Sequence, residues 1–335
     1  MEPKILLIDG PSVLVSGFYA TASKLIAKCE TEEERALYYP ELMQTSTGIY
    51  TNAVYSMTRE LLKAIHLLKP THIVVAFDVS RETTFRRTMY AQYKAQRKST
   101  PAALKEQFDT MTELLIAMGI TVVSNPIYEA DDLIASMAKK YETEGKVYVW
   151  TKDRDYYQLA SENTTLWMMQ STIAKADELF QKYDAHVHYS EYIPENCAPF
   201  TPYTVKAEMG VQPNQIPDLK GIMGDTSDNI PGIPGVISPA PKLISVYGNI
   251  ETVIETCEKA DNTEKQEKLI AFWKRMGISR PPIKKIIEGK EIGLLSKELA
   301  TMKCDCEVPD LNEIEFHFDK EGYESIKGLL EFKSI

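Results

Sequence analysis

The chain has 335 residues, is 44% hydrophobic and carries a formal charge of −10. That composition allows a large core in one main domain with a smaller one attached, and it excludes a surface coated all over in positive potential while leaving room for local basic patches. A single lysine ahead of Ile5-Leu6-Leu7-Ile8-Asp9 makes no signal peptide, no apolar run nears the ~20 residues of a bilayer span, and five cysteines, an odd number, predict a reducing, cytoplasmic setting.

Residues 4–9 read as a buried strand that ends on Asp9. A polar stretch over 21–47 reads as an added helical excursion. Apolar spacing through Val54, Met57, Leu61, Leu62 and Ile65 predicts a helix over 51–68, closed by Pro70. His72 to Phe77 is a second buried strand, ending on Asp78. A basic, aromatic segment fills 80–100. A helix over 104–118, a strand over 120–123 and a helix from Glu129 to about Glu144 follow. Val147 to Trp150 is a strand that leads to Asp153 and Asp155, residues 156–159 open a short helical turn, and 164–169 is a strand. This alternation predicts an α/β domain with a mostly parallel sheet, whose strand ends are where such folds place ligands. Beyond about residue 186 the strand signal fades into a helical region over 201–300, broken by prolines. Alternation returns at Glu313 to Phe318, an expected edge strand.

Acids recur at the ends of these segments. Asp9, Asp78, Glu129, Asp131, Asp132, Asp153, Asp155, Asp225 and Asp228 are candidate metal ligands. Any one of them alone reads as well as a helix cap or a solvated loop acid. Three in one turn at Glu129-Ala130-Asp131-Asp132, however, repel one another unless a cation lies among them. Oxygen donors without histidine suit Mg²⁺ or Mn²⁺ rather than zinc. Two such ions would suit an in-line phosphodiester displacement. Between Arg81 and Lys98 stand Arg86, Arg87, Lys94 and Arg97, interleaved with Phe85, Tyr90 and Tyr93, a mixture fitted to phosphate neutralisation and base stacking. The same segment reads equally as a solvated amphipathic helix when taken alone. Lys94 is placed to balance charge at a scissile phosphate, Arg97 to hold an adjacent phosphate, and Tyr93 to stack on a terminal base.

With these residues assembled, the chain resembles the structure-specific 5'-nucleases, above all the bacterial 5'–3' exonuclease domain that opens the DNA-repair polymerase and also occurs free-standing. The resemblance spans roughly residues 4–305 and rests on Leu7-Ile8-Asp9-Gly10, Phe77-Asp78, Thr84-Phe85-Arg86, Tyr93-Lys94-Ala95-Gln96-Arg97, Tyr128-Glu129-Ala130-Asp131-Asp132, Asp153-Arg154-Asp155 and Gly224-Asp225-Thr226-Ser227-Asp228-Asn229-Ile230-Pro231-Gly232. It implies a parallel sheet flanked by helices, a helical arch over the active site and a helical subdomain that binds duplex DNA. The expected domains are 1–185, an α/β nuclease core with a basic arch region at 80–110; 186–305, the helical subdomain with a duplex-binding hairpin at 230–248; and 306–335, a tail with the edge strand. It also implies a metal-dependent nuclease of replication and repair, a monomer that acts on DNA with a 5' flap, overhang or nick, alongside a separate DNA polymerase and ligase. Lys94 and Arg97 fall on the family's catalytic lysine and phosphate-contacting arginine, while Arg81, Phe85, Arg86, Arg87, Tyr93, Lys98 and Lys242 are the expected DNA contacts.

Three features depart from the pattern. Ser16 stands where an arginine is usual, and the 21–47 excursion is longer. After Gly235-Val236 the chain reads Ile237-Ser238-Pro239-Ala240-Pro241-Lys242, so two prolines remove amide donors from the hairpin turn. A weaker grip on the downstream duplex is expected, and the monovalent-ion site that the family associates with this turn is put in question. Two other readings stand beside the nuclease: a DNA-structure-binding protein with little cleavage activity, and an RNase acting on RNA primers or RNA–DNA junctions.

Overall fold

The apolar runs form six strands: β1 (Lys4–Asp9), β2 (His72–Asp78), β3 (Thr121–Asn125), β4 (Lys146–Thr151), β5 (Thr164–Met169) and β6 (Cys197–Phe200). The computed structural model describes residues 2–80, 83–184 and 192–335. One sheet takes the strands in the order β3-β2-β1-β4-β5-β6, parallel throughout except for antiparallel β6. Alternate residues of each strand enter opposite cores. Ile5, Leu7, Val74, Ala76, Val147 and Val149 face one, and Leu6, Ile8, Ile73, Val75, Tyr148 and Trp150 the other, as a period of two requires.

The second of these cores is covered by α1 (Gly10–Thr21), α3 (Asn52–Leu68) and α5 (Ala102–Ala117), which contribute Val13, Leu14, Val54, Met57, Leu61, Met111 and Leu114. In α3 the buried residues recur every three to four positions, and each large side chain taken from water is worth roughly 1.5–3 kcal/mol. Its end is set by Lys69, left-handed at φ 54°, just before Pro70. Between α1 and α3 the expected helical excursion is shorter and more irregular: α2 (Glu32–Ala36), flanked by single 3₁₀ turns. Thr31 and Glu34 form a capping box that starts α2. The excursion braces the chain just before α5, where Arg35 donates to Ser99 O at 3.2 Å and Glu32 accepts from the Ala102 amide at 3.0 Å.

The other face carries α6 (Ala130–Tyr141) and the helices that follow the sheet. α4 (Phe85–Met89) lies between β2 and α5, and α7 (Ile173–Lys182) between β5 and β6. The later helices are α8 (Pro202–Met209), α9 (Ile216–Met223), α10 (Ala240–Tyr247), α11 (Ile250–Lys259), α12 (Thr263–Arg275), α13 (Ile283–Glu288), α14 (Lys290–Ala300) and α15 (Lys320–Leu329). No helix among the described residues is long and apolar enough to cross a membrane.

Three expectations change here. The sheet draws β6 from beyond the boundary expected at 185, which itself lies outside the described residues; β6 is four residues long and contains Pro199, tolerated because the strand is at an edge. The tail makes only an isolated bridge between Glu315 and His72, because the chain turns at Asp319 to cap α15. The segment 80–110, expected to form a helical arch, holds five-residue α4, then turns, an irregular run to Pro101 and the first turns of α5.

Candidate active site

The order of the strands places β1 beside both β2 and β4, so the chain leaves the sheet in opposite directions from neighbouring strands. A crevice opens at such a point, beyond the carboxyl ends of the strands. Asp9 ends β1, Asp78 ends β2, and Asp153 follows β4. Asp9 caps α1, accepting from the Ser12 amide at 3.1 Å, Ser12 Oγ at 2.6 Å and Thr151 Oγ1 at 2.7 Å. Burial pushes its pKa up against these hydrogen bonds. Asp78 accepts from the Ala130 amide at 2.8 Å and so is tied to the start of α6.

Glu129 is the N-cap of α6, which puts three acids in and before one turn. Ligand oxygens of Glu129, Asp131 and Asp132 lie within 4.8 Å of one another. Glu129 accepts from Lys94 Nζ at 2.7 Å, Arg86 Nη1 at 2.9 Å and Tyr93 Oη at 3.0 Å. Burial opposes its charge, but Lys94 and Arg86 outweigh burial and hold its pKa low. Asp131 Oδ1 is buried with no hydrogen-bond partner among the described residues, and burial raises the pKa of this carboxyl strongly. Asp132 is fully buried, its two oxygens each 2.7 Å from the Arg86 guanidinium.

On the far side, Asp153 takes the Asp155 amide at 2.9 Å, and its own amide reaches Thr151 Oγ1 at 3.0 Å. Burial, with Asp228 and Asp9 nearby, raises its pKa. Asp155 is pushed up to about 7 by burial and by Asp153. Lys220 of α9 bridges Asp155 and Asp225, 2.5 Å from Asp225 Oδ2. The Lys220 ammonium also keeps Asp225 below the usual carboxylate range against burial. Lys220 was not among the residues singled out from sequence; the available signal was a lysine in the short helix Ile216–Met223, just ahead of Asp225.

Asp225 and Asp228 sit in a loop that closes on itself. The Asp225 and Ile230 backbones exchange two hydrogen bonds of 2.8 Å. Gly232 passes so close to Gly224 that a Cβ there would lie 2.2 Å from the Gly224 nitrogen, so a larger residue would open the loop. The basic segment docks on this loop. The Lys94 amide donates to Asp228 O at 2.9 Å, Gln96 Nε2 to Thr226 O at 2.9 Å, and Asn229 Nδ2 to Gln92 O at 2.7 Å. These contacts hold Lys94 at φ +53°, a left-handed conformation that costs a non-glycine residue about 1–2 kcal/mol. Arg97 Nη2 then meets Asp228 Oδ1 at 2.5 Å, with Lys94 Nζ 3.6 Å from Oδ2. Asp228 and Glu129 outweigh burial and keep Lys94 charged.

The structure sorts the expected DNA contacts into two kinds. Arg86 is 1% exposed, and all five of its N–H groups are used, on Glu129, Asp132, Leu299 O and Thr301 O. It is a tether between α4, α6 and the end of α14, with no donor left for a phosphate. Tyr93 is 2% exposed with its hydroxyl on Glu129 and Asp228, so no face is open to a base. Arg87 donates to Ala91 O and Tyr93 O, pinning the turn. Phe85 packs on Tyr128, with Arg86 and Lys303 over its ring. Arg97, Lys98 and Lys242 reach solvent; Lys98 pairs with Glu30, and Lys242 donates to Gly277 O. Arg81 lies outside the described residues. In the hairpin, positive φ falls on Gly232 and Gly235 and not on Ile237.

The model of the 5'-3' exonuclease N-terminal resolvase-like domain matches residues 4–184, and that of the 5'-3' exonuclease C-terminal SAM fold matches residues 211–321. The chain is 34% identical to a 5'-3' exonuclease of Halalkalibacterium halodurans over 91% of its own length and 86% of that protein. It is also 34% identical to DNA polymerase I of Bacillus caldotenax over its whole length, and there it spans only 32% of the relative. Among solved structures, phage T5 5'-exonuclease with bound zinc aligns over 89% of each chain with a TM-score of 0.56 and 18% identity. The T5 flap endonuclease in complex with DNA and metal ions aligns over 98% of this chain and 99% of its own, with a TM-score of 0.54 and 15% identity; these two likenesses bear on the fold. The chain therefore belongs to the 5'-3' exonuclease family of nucleases.

Proposed function

We propose that this chain is a divalent-metal-dependent 5' nuclease that hydrolyses phosphodiesters in 5'-flap or single-strand/duplex junction DNA, with 5'–3' exonuclease activity, in cytoplasmic DNA replication and repair. The observation that carries the reading is the docking of Lys94 on Glu129 and of Arg97 on Asp228, beside the carboxylate cluster of Glu129, Asp131 and Asp132. The residues fit a hard cation. The donors are all carboxylate oxygens, and Asp131 Oδ1 is a buried acceptor without a hydrogen-bond partner among the described residues, the Arg86 guanidinium lying 3.7 Å away. Glu129 and Asp131, with Asp153, Asp155 and Asp228 opposite, are the residues we assign to hold Mg²⁺ or Mn²⁺, two ions in all. Asp132 acts through Arg86 and fixes the turn that presents Glu129. The ions, when bound, supply the charge that activates water and offsets the leaving oxygen.

The chain's own groups do the rest. Lys94 is charged, nearly buried and held by Glu129, so a phosphate entering the crevice competes with Glu129 for an ammonium already in place. Arg97 is more exposed and holds the neighbouring phosphate. Tyr93 is a positioning residue, fixing Glu129 and Asp228 relative to each other.

The test is cleavage of an end-labelled 5'-flap duplex, an overhang and a nicked duplex, with Mg²⁺, Mn²⁺ or EDTA. Metal-dependent product near the junction is expected. Absence of product on every substrate, RNA-containing ones included, overturns the reading.

A further inference from the structure

Two buried polar atoms beside the acids are left unmatched by the described chain. One is the acceptor Asp131 Oδ1 on α6. The other is a hydroxyl, able both to donate and to accept. Tyr156 lies in the 3₁₀ turn Arg154–Leu159 that follows β4. It is 1% exposed, and its Oη meets no hydrogen-bond partner among the described residues. Burying a hydroxyl without a partner costs stability, and a ligand that meets it offsets that cost.

The turn is held at both ends. Asp153 caps it by accepting the Asp155 amide, and near its far end Gln158 Nε2 donates to Ala300 O at 3.1 Å while Gln158 Oε1 accepts from the Met302 amide at 3.0 Å. The Tyr156 ring joins the core between the sheet and α6, with Val149, Ala130 and Ile134. Its hydroxyl faces the acids. Burial pushes its pKa far up, and the carboxylates of Asp9, Asp131, Asp153 and Asp78 push it further, so the phenol keeps its proton. Tyr157 beside it points elsewhere: it stacks on Phe200 with ring centroids 4.7 Å apart, and the charges that act on its hydroxyl are those of Arg154 and Glu208.

Of the four acids around Tyr156, three take hydrogen bonds from the chain: Asp9 from Ser12 and Thr151, Asp78 from the Ala130 amide, and Asp153 from the Asp155 amide. Asp131 Oδ1 takes none. An unmet hydroxyl and an unmet carboxylate oxygen that do not reach each other are both satisfied by one polar body between them. A hydrated Mg²⁺ or Mn²⁺ has the right chemistry, since the ion takes the carboxylate and keeps several waters that a phenol can join. We propose that Tyr156 is a positioning residue of the crevice: its hydroxyl joins the hydration shell of the divalent cation that Asp131 holds, and fixes that shell against the strand ends. The proposal rests on the reading of the crevice as a cation site.

The experiment compares the wild type with Tyr156→Phe, which removes only the hydroxyl and keeps the ring in the core. In EDTA the thermal midpoint of the variant should equal or exceed that of the wild type, because the group removed is an unpartnered buried hydroxyl. Titration with Mn²⁺, followed by the electron paramagnetic resonance of the free ion, should give a dissociation constant raised about tenfold or more, the usual effect of deleting a residue that orients what surrounds a metal. Tyr157→Phe removes a hydroxyl from the same turn, away from the acids, and should bind Mn²⁺ as the wild type does. Unchanged Mn²⁺ affinity in Tyr156→Phe, or an equal loss in Tyr157→Phe, overturns the proposal. So does a lower midpoint of Tyr156→Phe in EDTA, which would give the hydroxyl a partner within the chain. Failure of the cation reading itself would show separately, as a wild type that binds no Mn²⁺.

Discussion

Arg86 separates a structural account of the basic segment from a DNA-binding one. Its guanidinium is 1% exposed and grips Asp132, itself fully buried, through two contacts of 2.7 Å. Arg86→Ala strands that carboxylate without a counter-ion and leaves Leu299 O and Thr301 O without a donor. Breaking a buried pair from one side costs about 3–5 kcal/mol, against a total stability of about 5–15 kcal/mol. At roughly 2–4 °C per kcal/mol, the thermal midpoint should drop by about 6–20 °C. Urea and thermal unfolding in metal-free buffer measure it. The double variant Arg86→Met/Asp132→Leu removes both charges and should recover at least half of the loss, because apolar replacement of a whole buried pair is close to neutral. If Arg86→Ala unfolds like wild type but binds DNA weakly with a shallower salt slope, Arg86 is a phosphate contact and the tether reading is wrong.

Other perturbations address the crevice. Lys94→Ala should lower single-turnover cleavage by about 10²–10³, the effect of deleting one preorganised donor, with little change in duplex affinity; lost affinity with normal turnover contradicts its assigned role. Asp153→Asn should reduce cleavage by orders of magnitude and leave the thermal midpoint equal or higher, since it relieves repulsion from Asp155, Asp228 and Asp9; retained cleavage would show the crevice to be misassigned. Asp155, at about 7, keeps a proton in the folded metal-free chain that an unfolded aspartate has lost above its ordinary value near 4. Stability of the metal-free protein should therefore fall as pH rises through that window, because there the native state binds more protons than the unfolded state. Cation binding needs the carboxylate, so the rise in thermal midpoint on adding Mn²⁺ should be larger at pH 8 than at pH 6; an equal rise at both refutes the link.

The acids were legible because each follows a feature with its own signal. Asp9 and Asp78 end apolar strands, Asp153 follows one, and Glu129 caps a helix, so topology alone carries them to one crevice. What sequence could not assign was direction. Arg86, Arg87, Lys94 and Arg97 look alike in a row, yet Arg86 is turned inward by Asp132 and by the Leu299 and Thr301 carbonyls, partners 46, 213 and 215 residues away. Lys220 was hidden for the same reason, since nothing local to α9 announces Asp155 as its partner. The tail from Glu313 to Phe318 alternates like a strand, but alternation specifies an extended chain and not a ladder partner.

These hidden cations explain how the acids fold together at all. Carboxylates packed this closely repel one another, and burial raises the cost for Asp9, Asp131, Asp153 and Asp155. Arg86, Lys94 and Lys220 each come from a different segment, and each meets at least two of the acids. They pair with Glu129, Asp132, Asp155, Asp225 and Asp228 in the folded chain. The three differ in what they are free to do. Arg86 is fully committed and cannot leave without stranding Asp132. Lys94 and Lys220 are single ammonium groups on flexible stems, each shared between two carboxylates. One locked arginine and two bridging lysines thus let an acidic crevice be a stable part of the fold.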